Sequence, residues 1–157
     1  MPTQRLREFL DSQKVWYQSI LHPPAYTAQE IASITHIRGQ ELAKTVIVSL
    51  NKTLAMIVLP ARMRVDLDLL KEQAGASEIH LASEAEFRSR FPGCDTGAMP
   101  PFGMLYGMEV FVAEELSRDK EIAFNAGTHR ELIRMKYEDF DRLVSPRVLR
   151  TAAAAAH

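Results

Sequence analysis

Apolar positions in this chain recur with two periods, and capping or turn residues separate the stretches. Leu6, Phe9 and Leu10 repeat at helical spacing behind Thr3, which can cap a first helix. Val15 to Leu21 is rich in β-branched and aromatic residues and predicts a strand. His22-Pro23-Pro24-Ala25-Tyr26 ends it, because two prolines remove two ladder donors. Thr27 and Glu30 have capping-box spacing and open a helix to about Ile37, with Gly39 as its stop. Lys44–Leu50 and Thr53–Leu59 flank Asn51-Lys52, a hairpin by spacing rather than by ideal turn residues. Asp66 caps a helix that ends at Gly75, and Ile79–Leu81 predicts a short strand. Ser83 and Glu86 form a second capping box, for a helix ending near Arg90. A loop from Phe91 to Gly103 follows, then strands at about 109–113, 121–125 and 131–136, and a last helix over 137–144.

Strands thus come in runs instead of alternating with helices. That predicts an α+β fold with a mixed, largely antiparallel sheet. Seven strands in so short a chain are expected to curl into a pseudobarrel with flanking helices, which would protect the sheet edges. One domain is expected over 1–146. Residues 147–157 are expected to form a tail, either disordered or appended, because it closes on an alanine run.

Composition changes this picture little. At 46% hydrophobic and 25% charged, the chain is an ordinary globular sequence. The lone cysteine, Cys94, leaves no disulfide framework and no cysteine zinc cage. The first residues lack an apolar signal core, and no apolar run approaches the roughly 20 residues of a spanning helix. A cytoplasmic protein is expected. The formal net charge of −1 argues against extensive phosphate contact, so any nucleic-acid contact must be local. Arginines do cluster, as in Arg62 with Arg64, Arg88 with Arg90, and Arg130 with Arg134. Such clusters are ordinarily solvated faces.

Phosphate-binding, dinucleotide, zinc-protease and nucleophile-elbow motifs are missing, and the five histidines show no ligand spacing. No metal or cofactor is expected. Lys44 opens an apolar strand, where its ammonium can hold a phosphate or polarise an ester carbonyl, although strand-end lysines are common. The loop Gly97-Ala98-Met99-Pro100-Pro101-Phe102-Gly103 offers glycines for close approach and prolines for stiffness. Fixed backbone N–H groups there can stabilise an oxyanion, although the same residues make a plain turn. Phe124-Asn125-Ala126-Gly127-Thr128-His129 ends a strand in small and polar residues. His129 can orient a substrate amine or a water, or act as a base, whereas hairpin histidines are often structural. Nothing marks Cys94 as an activated nucleophile.

Four segments in order resemble the YbaK/ProX proteins and the editing domain of bacterial prolyl-tRNA synthetases. They are His22–Glu30, Ala43–Val48, Gly97–Gly103 and Phe124–His129, and the likeness spans residues 1 to about 146. The resemblance implies hydrolysis of the ester between a wrong amino acid and the tRNA 3′ end. It implies a partner, the tRNA acceptor end, and opens docking on a synthetase. It places Lys44, Gly97 and Ala98 in the catalytic role. Tyr26, Met99, Pro101, Gly103, Thr128 and His129 would then contact substrate. Alanine-specific members of the family carry Asn after the lysine, where this chain has Thr45, so alanine, serine, threonine and cysteine stay open as substrates. A non-catalytic tRNA- or synthetase-binding module of the same fold, or a hydrolase of another small ester, would use the same residues.

Overall fold

The computed structural model describes residues 2–25, 27–150 and 153–155. Helix α1 (Pro2–Ser12) begins one residue before the expected Thr3 cap and buries Leu6 and Leu10 completely. Strand β1 (Tyr17–Leu21) leads through the prolines to α2 (Ala28–Thr35), where the Thr27 side chain accepts from the Glu30 N–H as the capping pattern predicts. His36 stops this helix in the left-handed region, ahead of Gly39.

Strands β2 (Ala43–Leu50) and β3 (Thr53–Pro60) pair in full antiparallel register around Asn51-Lys52. Both turn residues have positive φ, 49° and 70°, which matches the right-handed twist of the hairpin. Asn51 suits this turn because its side-chain oxygen also accepts from the Ser77 and Glu78 N–H groups. Three more elements follow: β4 (Met63–Val65), α3 (Leu67–Ala74, capped by Asp66 and closed by Gly75) and β5 (Ile79–Leu81). Next come α4 (Glu84–Phe87, with the reciprocal Ser83/Glu86 box), β6 (Glu109–Ala113), α5 (Glu114–Ser117) and β7 (Glu121–Asn125). The chain then forms β8 (Glu131–Lys136), α6 (Tyr137–Val144), β9 (Arg147–Leu149) and β10 (Ala153–Ala155).

The class is α+β in one domain, but the described strands do not curl into a barrel. They form a mixed sheet ordered β5-β2-β3-β6-β9, an antiparallel sheet ordered β1-β8-β7, and the pair β10-β4. One parallel bridge, Leu42 to Ala123, joins the two larger sheets. Closure is not needed to protect the edges of the mixed sheet, because β5 and β9 are each only three residues long. Strand β9 falls in the segment expected to be a tail. It pairs parallel with β6 and buries Leu149.

Phe102 stands at the centre of the main core, with ring centroids 5.6 Å from Phe124, 5.7 Å from Phe140 and 6.1 Å from Phe9. A smaller cluster of Ala25, Ile31, Ile37, Leu42, Ala123 and Leu132 seats α2 where the two larger sheets meet. This junction positions the site. Among the described residues, no helix is long and apolar enough to cross a membrane.

Candidate functional site

A cleft of about 130 Å³ opens at the sheet junction, lined by Ile31, Leu42, Ala43, Lys44, Ala61, Gly97, Asn125 and His129. Each wall has a local cause. Ile31 reaches it from the capped helix α2. Lys44 enters as the second residue of β2, between the buried Ala43 and Thr45. Asn125 ends β7, and Gly97 comes from the long loop.

Hydrogen bonds tie that loop to the β7–β8 connection. Asp95 N–H donates to Gly127 O and Gly127 N–H to Ala98 O, both at 2.8 Å. The His129 N–H donates to Asp95 Oδ2 at 3.0 Å, and the His129 ring contacts Thr96 O through Nε2 at 2.9 Å. A carbonyl only accepts, so this Nε2 carries a hydrogen. Gly97 adopts φ +87°, and a side chain built there would start 3.6 Å from the imidazole Cε1. The positive φ accounts for glycine at this position.

Charge at the cleft is positive. Burial pushes the Lys44 ammonium below the usual lysine range, and the neighbouring Arg64 charge pushes in the same direction. Among the described residues, no carboxylate lines the cleft. Among the described residues, no group of three or more His, Cys, Asp or Glu is placed to hold a metal ion.

A larger cavity of about 570 Å³ lies elsewhere, lined by Glu41, Ser117, Asp119, Lys120, Glu121, Lys136, Tyr137 and Glu138. Size alone would favour it as a site. It contains none of the residues singled out in the sequence, whereas the small cleft gathers Lys44, Gly97 and His129 from three distant segments.

The aminoacyl-tRNA editing domain model matches residues 22–143. The chain belongs to the aminoacyl-tRNA editing domain family. It is similar to the multifunctional Ser/Thr-tRNA deacylase ProXp-y of Escherichia coli K12, with 28% identity over 93% of this chain and 90% of that protein. It is also similar to the prolyl-tRNA editing protein ProX of Acetoanaerobium sticklandii, with 24% identity over 86% of this chain and 85% of that one. A crystal structure of a hypothetical protein shares the fold at TM-score 0.84, with 20% identity over 96% of this chain and 99% of the other.

Within this editing domain, the remaining sequence candidates separate by burial and hydrogen bonding. The Ala98 N–H donates to Asp95 O at 3.0 Å, so it is committed inside the loop and not open to an oxyanion in this conformation. Among the described residues, the Gly97 N–H meets only the Met99 sulfur, at 3.3 Å, a weak acceptor that a ligand oxygen would better. Met99, Pro101 and Gly103 are buried and do not line the cleft. Gly103 has a packing reason instead: an added Cβ would collide with the Met108 carbonyl and lie 2.5 Å from Val110 Cγ2. Thr128 accepts from the Arg130 N–H at 3.3 Å and is not among the lining residues. Tyr26 lies outside the described residues. Cys94 is half-buried, and burial pushes its thiol up, away from an activated thiolate.

Sequence reasoning did not single out Ile31, Leu42, Ala61 or Asn125. The Asn125 Oδ1 is buried and has no hydrogen-bond partner among the described residues. Its one sequence signal is a carboxamide at a strand end, directly before the small residues Ala126 and Gly127.

Proposed function

We propose that this editing domain acts in trans and, without a metal, hydrolyses the ester that links a small or polar amino acid to the 3′ end of a mischarged tRNA. The observation that carries the reading is the convergence of Lys44, Gly97, Asn125 and His129 on one small cationic cleft. The ester is already activated, so water can attack its carbonyl carbon without a protein nucleophile. The carbonyl electron pair moves onto oxygen, where the Gly97 N–H and the Lys44 ammonium stabilise it. Collapse of that intermediate expels the ribose oxygen. The attacking water's proton passes to that oxygen, assisted by the adjacent ribose hydroxyl. A free amino acid and a deacylated tRNA result.

The other walls assign supporting roles. Asn125 Oδ1 suits the substrate ammonium, since an unpartnered buried carbonyl oxygen favours a donor. His129 holds the Gly97 backbone in place through its bond to Thr96 O. Ile31, Leu42 and Ala61 form the apolar wall against the amino-acid side chain. The cleft is small, at about 130 Å³. That suits alanine, serine, threonine or cysteine, and likeness to a Ser/Thr-tRNA deacylase supports the hydroxylated pair. Apolar contact discriminates near-isosteres weakly, so overlapping activity on several of these is expected.

The test is a panel of tRNAs charged with alanine, serine, threonine, cysteine, proline and phenylalanine. Release of one or more of the first four, with phenylalanine retained, supports the assignment. Equal release of phenylalanine would refute the small-cleft argument.

A further inference from the structure

The protein is formally −1 overall, yet the described lining of its cleft holds Lys44 and no carboxylate. Lys44 pairs with Leu59 and Ala43 with Pro60 at the open end of the hairpin. Just beyond, Ala61 donates its N–H to Leu42 O at 2.8 Å and lines the cleft. The chain then folds back through β4. Met63 and Val65 pack into the core cluster beneath the mixed sheet. Alternation along the strand turns Arg64, between them, outward. Arg64 is exposed there, and its charge is felt at Lys44. Among the described residues, neither cation has an ion-pair partner, whereas eight other pairs are formed. Arg64 follows the lining residue Ala61 by three positions, so two like charges without ion-pair partners stand near one cleft and favour an anion there.

We infer that Arg64 is a positioning residue for the substrate, holding a phosphate of the tRNA 3′ end at the mouth of the cleft while Lys44 faces the ester. The inference rests on the deacylase reading above. A cleft of about 130 Å³ suits an amino acid, and in this reading the terminal nucleotide and its phosphate lie at its mouth. A guanidinium grips a phosphodiester in bidentate fashion, and an exposed, unpaired arginine reaches it without first breaking an ion pair.

The experiment compares wild type, Arg64→Ala and Arg64→Lys on two substrates with the same amino acid: charged tRNA, and aminoacyl-adenosine, which has no phosphate. On tRNA, Arg64→Ala is expected to raise KM about tenfold, as loss of a charge-assisted contact does, with little change in kcat. The slope of log(kcat/KM) against log salt should fall by roughly 0.7, the increment for one single-strand phosphate. Arg64→Lys should restore part of the loss, and aminoacyl-adenosine should be cleaved equally by all three proteins. Unchanged tRNA kinetics in Arg64→Ala, or an equal loss on both substrates, would overturn the inference. A wild type inert on both substrates would overturn the deacylase reading itself.

Discussion

Burial and Arg64 both press the Lys44 ammonium toward its neutral form. The fold therefore holds this charge against its own preference, a pattern characteristic of functional groups. The linkage to stability has a definite sign. Lys44 has a lower pKa folded than unfolded, so between the two values the unfolded chain binds more protons and stability rises with pH. Below that window the charged ammonium detracts from stability. Replacing Lys44 with methionine should thus leave the melting temperature unchanged or raised near neutral pH while removing turnover. A marked loss of stability in Lys44→Met, measured by thermal unfolding, would argue that the lysine is structural. Activity that needs the ammonium should fall as pH rises through the lowered pKa, earlier than an ordinary lysine would dictate. In Arg64→Ala this alkaline limb should move to higher pH, because one of the two depressing influences is gone.

At the scale of elements, two glycines in one loop have different reasons to be glycine. Gly97 is set by backbone conformation, since an added Cβ meets His129 only at ordinary contact distance. Gly97→Ala should lower stability by about 1–2 kcal/mol through the positive φ, and should reduce kcat by displacing the N–H at the cleft. Gly103 is set by contact, and Gly103→Ala should lose about 3 kcal/mol or more from overpacking against Met108 and Val110. Chemical denaturation together with kcat separates the two, because Gly103 acts on activity only through folding. The sequence carries the repeat of two glycines around two prolines, but not the difference, which depends on β6 lying against the loop. Local signals fared better where they were self-contained. The Ser83/Glu86 box, the Asp66 cap and the Gly75 stop need only neighbouring residues, and all three form. The Asn51-Lys52 turn likewise follows from strand spacing.

At the scale of the whole molecule, long-range pairing decides what local pattern cannot. The short strands β4 and β9 have too few residues for a periodic signal and exist because a partner strand passes beside them. Leu149→Ala should cost roughly 2–4 kcal/mol, as for a buried leucine in a packed core, measured by urea unfolding. A negligible effect would mean that β9 contributes little to the fold. Among the described residues, the barrel expected from strand count does not form, and the mixed sheet is instead protected by its short edge strands. The site is a long-range product too. Lys44, Gly97 and His129 stand out in the sequence by residue type, whereas Asn125, Ile31 and Ala61 become site residues only when α2, β7 and the turn after β3 converge.

The central claim is that Lys44 and its cleft deacylate mischarged tRNA. The most direct measurement is release of labelled serine or threonine from charged tRNA by wild type and by Lys44→Ala, each first checked for a folded thermal transition. The account predicts release by wild type well above the spontaneous rate and a near-complete loss in Lys44→Ala with folding intact. Equal release by both folded proteins would contradict it.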